Sequence, residues 1–181
     1  MRLFVALPVP VDVARACADR LGSLTERHPG ARWIPAEHLH LTLVFLGEVP
    51  VERVTGIIAI LDEVAAEYSP FEVGLAAGAG RARRDGNGVA WLSVGRGGLE
   101  ATALANTLHV RLAVGDARPP AGDRPHVTVA RRASRGLIDE LGRLPSGPAI
   151  AWRTDRLILF RSHLGPPGAR YERIHEAMLG G

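Results

Sequence analysis

Two His-x-Thr triplets, His40-Leu41-Thr42 and His126-Val127-Thr128, carry the residue types best suited to chemistry in this chain. Each lies in an alternating apolar run, one from His38 to Leu46 and the other from Pro125 to Arg131. On a strand, successive side chains point to opposite faces. The imidazole and hydroxyl of each triplet therefore share one face, while Leu41, Leu43, Val127 and Val129 take the other. A hydroxyl donates a hydrogen bond to a phosphate oxygen, and an imidazole exchanges protons near neutral pH. Two such histidines facing one cleft can divide the work on a phosphate ester. One takes a proton from water and the other gives one to the leaving oxygen. Arg131 offers a guanidinium for the charge that develops. It lies five residues after His126, an odd offset, so strict alternation puts it on the wrong face. It contributes only past the strand end or across a bulge. One His-x-Thr alone means little. The signal is its repetition in the same apolar frame, set against the plainer reading of two half-buried strands with a polar face to solvent.

The other candidates are weaker. His38 shares a face with His40 if the strand starts early, and His-x-His on a strand is a metal-ligand spacing. A metallohydrolase built on His38, His40 and a third ligand is thus the rival enzyme reading, but it leaves the paired threonines unexplained. His28, His109 and His175 read as structural, and His163 as a residue of the pocket rim. Phe4 and Tyr171 read as core aromatics that can also form a pocket wall, since a nucleotide site needs a stacking surface. Arg81, Arg83 and Arg84 fall in a turn-rich loop, either solvated or holding a nucleic-acid backbone. Trp33, Trp91 and Trp152 fit buried strand edges with no chemical role.

The elements that must position these residues follow from periodicity. Arg2 to Leu7 reads as a buried strand. Val11 to Arg27 reads as an amphipathic helix, ended by His28-Pro29-Gly30. Pro50 to Tyr68 has helical spacing, and Phe71, Val73 and Leu75 alternate as a strand. A loop is expected from Ala79 to Gly88, a strand from Val89 to Val94 and a helix from Gly97 to Val114. Asp116 to Arg124 is a Pro/Gly loop leading into the second motif strand. Ser134 is placed to cap a short helix reaching Leu144. Ile150 to Trp152 and Leu157 to Arg161 are strands, Ser162 to Arg170 a loop, and Tyr171 to Leu179 a last strand. Strands and helices do not alternate strictly, so the expected class is α+β. The order of elements looks like two related halves within one domain, residues 1–181.

The 181 residues suffice for a self-sufficient core. A 46% apolar and 23% charged composition is that of a globular protein. Cys17 is the only cysteine, which rules out an intrachain disulfide and a thiolate metal site. No apolar run has transmembrane length, and Pro8 and Pro10 interrupt the apolar start, so a cytoplasmic protein without membrane attachment is expected. All 22 basic residues are arginine, and the net charge is +3. Arginine's planar fork suits phosphate, but a small net charge is weak evidence for a nucleic-acid partner.

The two triplets in context, with Arg2-Leu3-Phe4-Val5-Ala6, Phe45-Leu46-Gly47-Glu48-Val49, Arg161-Ser162-His163-Leu164 and Gly168-Ala169-Arg170-Tyr171, resemble the 2H phosphoesterase superfamily. Within it the chain is similar to the bacterial RNA 2′,3′-cyclic phosphodiesterases, also called 2′-5′ RNA ligases. The resemblance implies a bilobal, pseudo-twofold-symmetric α+β fold, with antiparallel sheets lining a central cleft and helices outside. It implies His40 as the acid that protonates the leaving oxygen and His126 as the base that activates water. Thr42, Thr128 and Arg131 would hold the phosphate; His38, Tyr171 and Phe4 are candidate pocket contacts on the residue reading above, not on the resemblance. It implies no metal and no cofactor. The expected substrates are RNA ends or small cyclic nucleotides bearing a 2′,3′-cyclic phosphate, opened to a 2′-phosphomonoester, with a possible reversible 2′-5′ ligase activity. A monomer with no obligate protein partner is expected. The alternative to both enzyme readings is an RNA-binding module without catalysis.

Overall fold

The apolar faces of the two motif runs hold the centre of the molecule. In a computed structural model, residues 1–85, 87–112, 124–144, 149–163, 165 and 169–180 are described. The first run forms β3 (His40–Glu48) and the second β6 (His126–Arg131). Leu41, Leu43, Val127 and Val129 are each at most 1% exposed. Burying each such side chain stabilises the fold by about 1.5–3 kcal/mol, so the strands that present the triplets are anchored by their own reverse faces.

The remaining strands are β1 (Arg2–Pro8), β2 (Arg32–Trp33), β4 (Phe71–Arg81), β5 (Val89–Val94), β7 (Ala151–Thr154), β8 (Arg156–His163) and β9 (Arg170–Met178). The helices among the described residues are α1 (Val11–Arg27), α2 (Val54–Ala66), α3 (Gly98–Leu112) and α4 (Arg135–Gly142), with 3-10 turns at Ala36–His38 and Val51–Arg53. The strands run in the order β7-β4-β5-β6-β3-β1-β8-β9, with β2 added beside β6. Pairing among the described residues is antiparallel throughout.

This order reads alike from either end about the β6–β3 seam. One half is β1-α1-β3-α2 and the other β5-α3-β6-α4. The last strands, β8 and β9, complete the first half, whereas β4 and β7 complete the second. The halves are therefore interleaved in the chain, and the expected bilobal, pseudo-twofold α+β architecture is what the chain forms.

Several boundaries differ from the sequence expectation, and among them β8 runs on through Ser162 and His163, where the pattern suggests a loop. The β4 strand runs on to Arg81 instead of breaking at Ala79. Its Gly78 and Gly80 lie under α4, where an added Cβ would meet Leu141 and Ile138. Small residues that look like a loop are there to let the helix approach. The first turn after Pro50 is 3-10, and α2 begins at Val54. His38 ends a 3-10 turn before β3 begins. Ser134 does cap α4, its Oγ accepting from the Leu137 N–H at 3.1 Å. The expected Asp116–Arg124 loop, except Arg124, and the turn at residues 166–168 lie outside the described residues.

Candidate active site

β3 and β6 run side by side with Leu41 opposite Val127. One residue to either side, antiparallel register sets His40 across from Thr128 and Thr42 across from His126. All four side chains line one cleft of about 740 Å³, together with Phe4, His38, Arg131 and Tyr171. Each of the site residues named from the motifs and the resemblance is thus in this cleft.

Arg131 reaches it through a bulge. Ala90 of β5 faces Ala130, but Trp91 faces Thr128, so the pairing skips Val129. Val129 and Ala130 are both buried as a result. Arg131 returns to the face of His126 and Thr128, as an inserted residue requires. β3 has the matching irregularity: Val5 faces Val44 and Ala6 faces Thr42, skipping Leu43. That brings Phe45, 40% exposed, to the cleft. Phe45 and Arg131 therefore hold equivalent places, five residues after each motif histidine, and they break the symmetry with an apolar ring on one side and a cation on the other.

The histidines are held alike but surrounded differently. His40 Nδ1–H donates to the His38 carbonyl at 2.7 Å, and His126 Nδ1–H donates to the Arg124 carbonyl at 3.1 Å. A carbonyl only accepts, so each Nε2 is left for a ligand. The His40 ring packs 5.0 Å from Phe4, 5.2 Å from Tyr171 and 6.2 Å from Phe160. Burial in this aromatic nest pulls its pKa from 6.5 down to about 4; the His38 carbonyl opposes the fall, while Arg131, His38 and His126 add to it. With these neighbours alone, His40 is a neutral imidazole at pH 7. His126 has one aromatic neighbour among the described residues, Trp91, at 5.1 Å.

The cleft is electropositive beyond Arg131. Arg32 of β2 is in register with Arg131 of β6, and both line the cleft. Neither makes an ion pair among the described residues. Like charges on neighbouring strands repel, and an anion between them relieves that repulsion.

Several residues fall elsewhere than expected. His38 is outside the strand, yet it stays at the cleft, 5.2 Å from the Tyr171 ring. His163 bonds Glu172 at 2.7 Å across the β8–β9 pair and is not part of the wall. His28 pairs with Glu140 and His175 with Asp62. Trp33 and Trp91 line the cleft instead of sitting at buried edges; Trp152 alone of the three tryptophans is buried. The position of Trp91 is readable in retrospect, because Ala90 and Leu92 on either side are the apolar, inward pair. The metal reading needs a third ligand beside His38 and His40. Among the described residues, no group of three or more His, Cys, Asp or Glu side chains is placed to hold an ion.

A family model described as the 2′-5′ RNA ligase superfamily matches residues 9–166. The chain belongs to this superfamily. As a 2H phosphoesterase it is an enzyme, in keeping with the paired triplets and the bilobal fold. An RNA 2′,3′-cyclic phosphodiesterase of Archaeoglobus fulgidus is 34% identical over 96% of this chain and 98% of its own length. A protein of the same name from Geobacillus stearothermophilus is 26% identical over 94% of this chain, which spans 55% of that relative. Among solved structures, TT0787 of Thermus thermophilus superposes with a TM-score of 0.75 at 29% identity, covering 100% of this chain and 99% of that one. No helix among the described residues is long and apolar enough to cross a membrane.

Proposed function

We propose that the chain hydrolyses the 2′,3′-cyclic phosphodiester of an RNA end or nucleotide to a 2′-phosphomonoester, without a metal ion. The observation that carries this reading is the cross-strand pairing of Leu41 with Val127, which brings both triplets to one cleft. The phosphate would sit between Thr42 and Thr128, with Arg131 against its non-bridging oxygens. Water attacks phosphorus and His126 Nε2 takes its proton. The P–O3′ bond breaks, and O3′ receives a proton from His40 Nε2. For this His40 must first be protonated. Bound phosphate supplies the negative charge that favours its charged form, against the burial that disfavours it. Phe4 and Tyr171 wall the nucleoside side, with His38 beside them. A 5′-hydroxyl in the place of water would give a 2′-5′ linkage by the same reversible chemistry.

Product analysis in EDTA tests the reading. A 2′,3′-cyclic nucleotide should give the 2′-phosphomonoester at an unchanged rate. Release of the 3′-phosphate, or loss of turnover on chelation, overturns it, and binding of RNA without any product would leave only a binding module.

The low pKa of His40 favours a second reading, in which the roles are exchanged and His40 is the base. The two readings separate on an aryl phosphodiester, whose leaving oxygen needs no proton. The variant lacking the acid keeps activity on that substrate, whereas the variant lacking the base loses it. Retention in His40→Ala supports the first assignment, and retention in His126→Ala the exchange.

A further inference from the structure

A second hollow, of about 570 Å³, lies next to the cleft, and its walls carry Arg83, Arg84, Arg132 and Arg135. Arg83 is common to both hollows. The two arginine-bearing segments alternate between them. Arg81 lines the cleft and Arg84 the second hollow; Arg131 lines the cleft and Arg132 the second hollow. At Arg132 the backbone turns left-handed, with φ of 53°, a conformation that non-glycine residues adopt at a cost. That turn is what sends consecutive arginines to different hollows. A hydrogen bond from the Ala133 N–H to the Gly88 carbonyl, 3.0 Å, ties the segments together.

The charge of this hollow is not neutralised from within. Arg83 leans on Asp85 at 3.5 Å. Arg84, Arg132 and Arg135 make no ion pair among the described residues. Some arginines elsewhere on the surface are matched with carboxylates, Arg27 with Glu140, Arg111 with Glu63 and Glu67, Arg173 with Glu176, so what marks this hollow is the clustering of its unmatched ones on one concave surface. A concave surface carrying three unmatched guanidiniums, continuous through Arg83 with a phosphate cleft, fits a chain of phosphodiesters.

We propose that this second hollow holds backbone phosphates of the RNA strand next to its reacting end. A polynucleotide is then gripped in two places and a mononucleotide in one. The proposal rests on the cyclic phosphodiesterase reading above and adds the strand as the preferred substrate class.

The test uses the full chain, as wild type, Arg84→Gln/Arg135→Gln and Arg84→Lys/Arg135→Lys. Two substrates are compared, a mononucleotide 2′,3′-cyclic phosphate and a short single-stranded RNA ending in one. In the glutamine variant, KM for the RNA should rise about tenfold with kcat kept, and the mononucleotide constants should not move. Binding of the same RNA ending in a 2′-phosphate, followed by anisotropy, should lose about 0.7 of its log–log salt slope for each phosphate contact removed. The lysine variant should restore most of the affinity. Equal KM values for the RNA in all three proteins, with an unchanged salt slope, overturn the proposal. Should the wild type turn over neither substrate, the cyclic phosphodiesterase reading fails, and the anisotropy titration still decides whether this hollow grips RNA.

Discussion

Burial of His40 makes the fold sensitive to acid in a defined window. Its pKa is about 4 in the folded protein against 6.5 when solvated. Between those values the unfolded chain binds the proton and the folded chain does not, so stability falls as the pH is lowered through the window. The full gap corresponds to about 3 kcal/mol, at roughly 1.4 kcal/mol per pKa unit. About 2 kcal/mol of it is lost between pH 7 and pH 5. Asp85, Glu140, Asp155 and Glu172 are also held below the usual carboxylate range, by Asn87, Arg27, Arg156 and His163 in turn. Their contributions are lost mainly at lower pH, and comparison with a variant lacking the His40 imidazole removes every change the two proteins share, including those of the His28–Glu140, His163–Glu172 and His175–Asp62 pairs. Urea unfolding at pH 7 and pH 5 reads the effect directly, with His40→Gln as the control that cannot titrate. The wild type should lose about 2 kcal/mol more than the variant over this interval. Equal losses in the two proteins would refute the claim that the aromatic nest of Phe4, Phe160 and Tyr171 desolvates His40.

Other perturbations follow from the same contacts. Arg131→Gln should lower kcat/KM for a cyclic phosphate about 10²- to 10³-fold, as loss of one charge-stabilising donor does; an unchanged value would mean that the bulge at Val129 does not bring Arg131 to the phosphate. Ser134→Ala removes the cap of α4 and should cost about 1 kcal/mol in chemical denaturation. Gly78→Ala puts a methyl group against Leu141, whose carbonyl would lie 2.8 Å away, and should cost about 1–3 kcal/mol. A neutral effect there would mean that α4 is free to shift.

The sequence is most legible where a period of two governs. Alternation alone places His40 and Thr42, and likewise His126 and Thr128, on one face, and the buried Leu41 and Val127 behind them anchor it. Where alternation breaks, the sequence is silent. The insertions at Leu43 and Val129 show only in the register against β1 and β5. They decide that Phe45 and Arg131 reach the cleft. Trp33 and Trp91 read as buried edges because a tryptophan's side chain fits a core or a pocket wall equally well, and partner strands choose between them. Gly80 reads as part of a loop because its smallness serves α4, a partner distant in the chain. The order of the halves is visible, but the return of β8 and β9 to the first half is a matter of long-range pairing that local pattern does not encode.

The central claim is that two histidines on facing strands act together on one phosphate. It is tested most directly by hydrolysis of a 2′,3′-cyclic phosphate by wild type, His40→Ala and His126→Ala, each checked for an unchanged circular dichroism spectrum. The wild type should give a 2′-phosphomonoester, and both folded variants should lose nearly all turnover. Full activity in either one would contradict the claim.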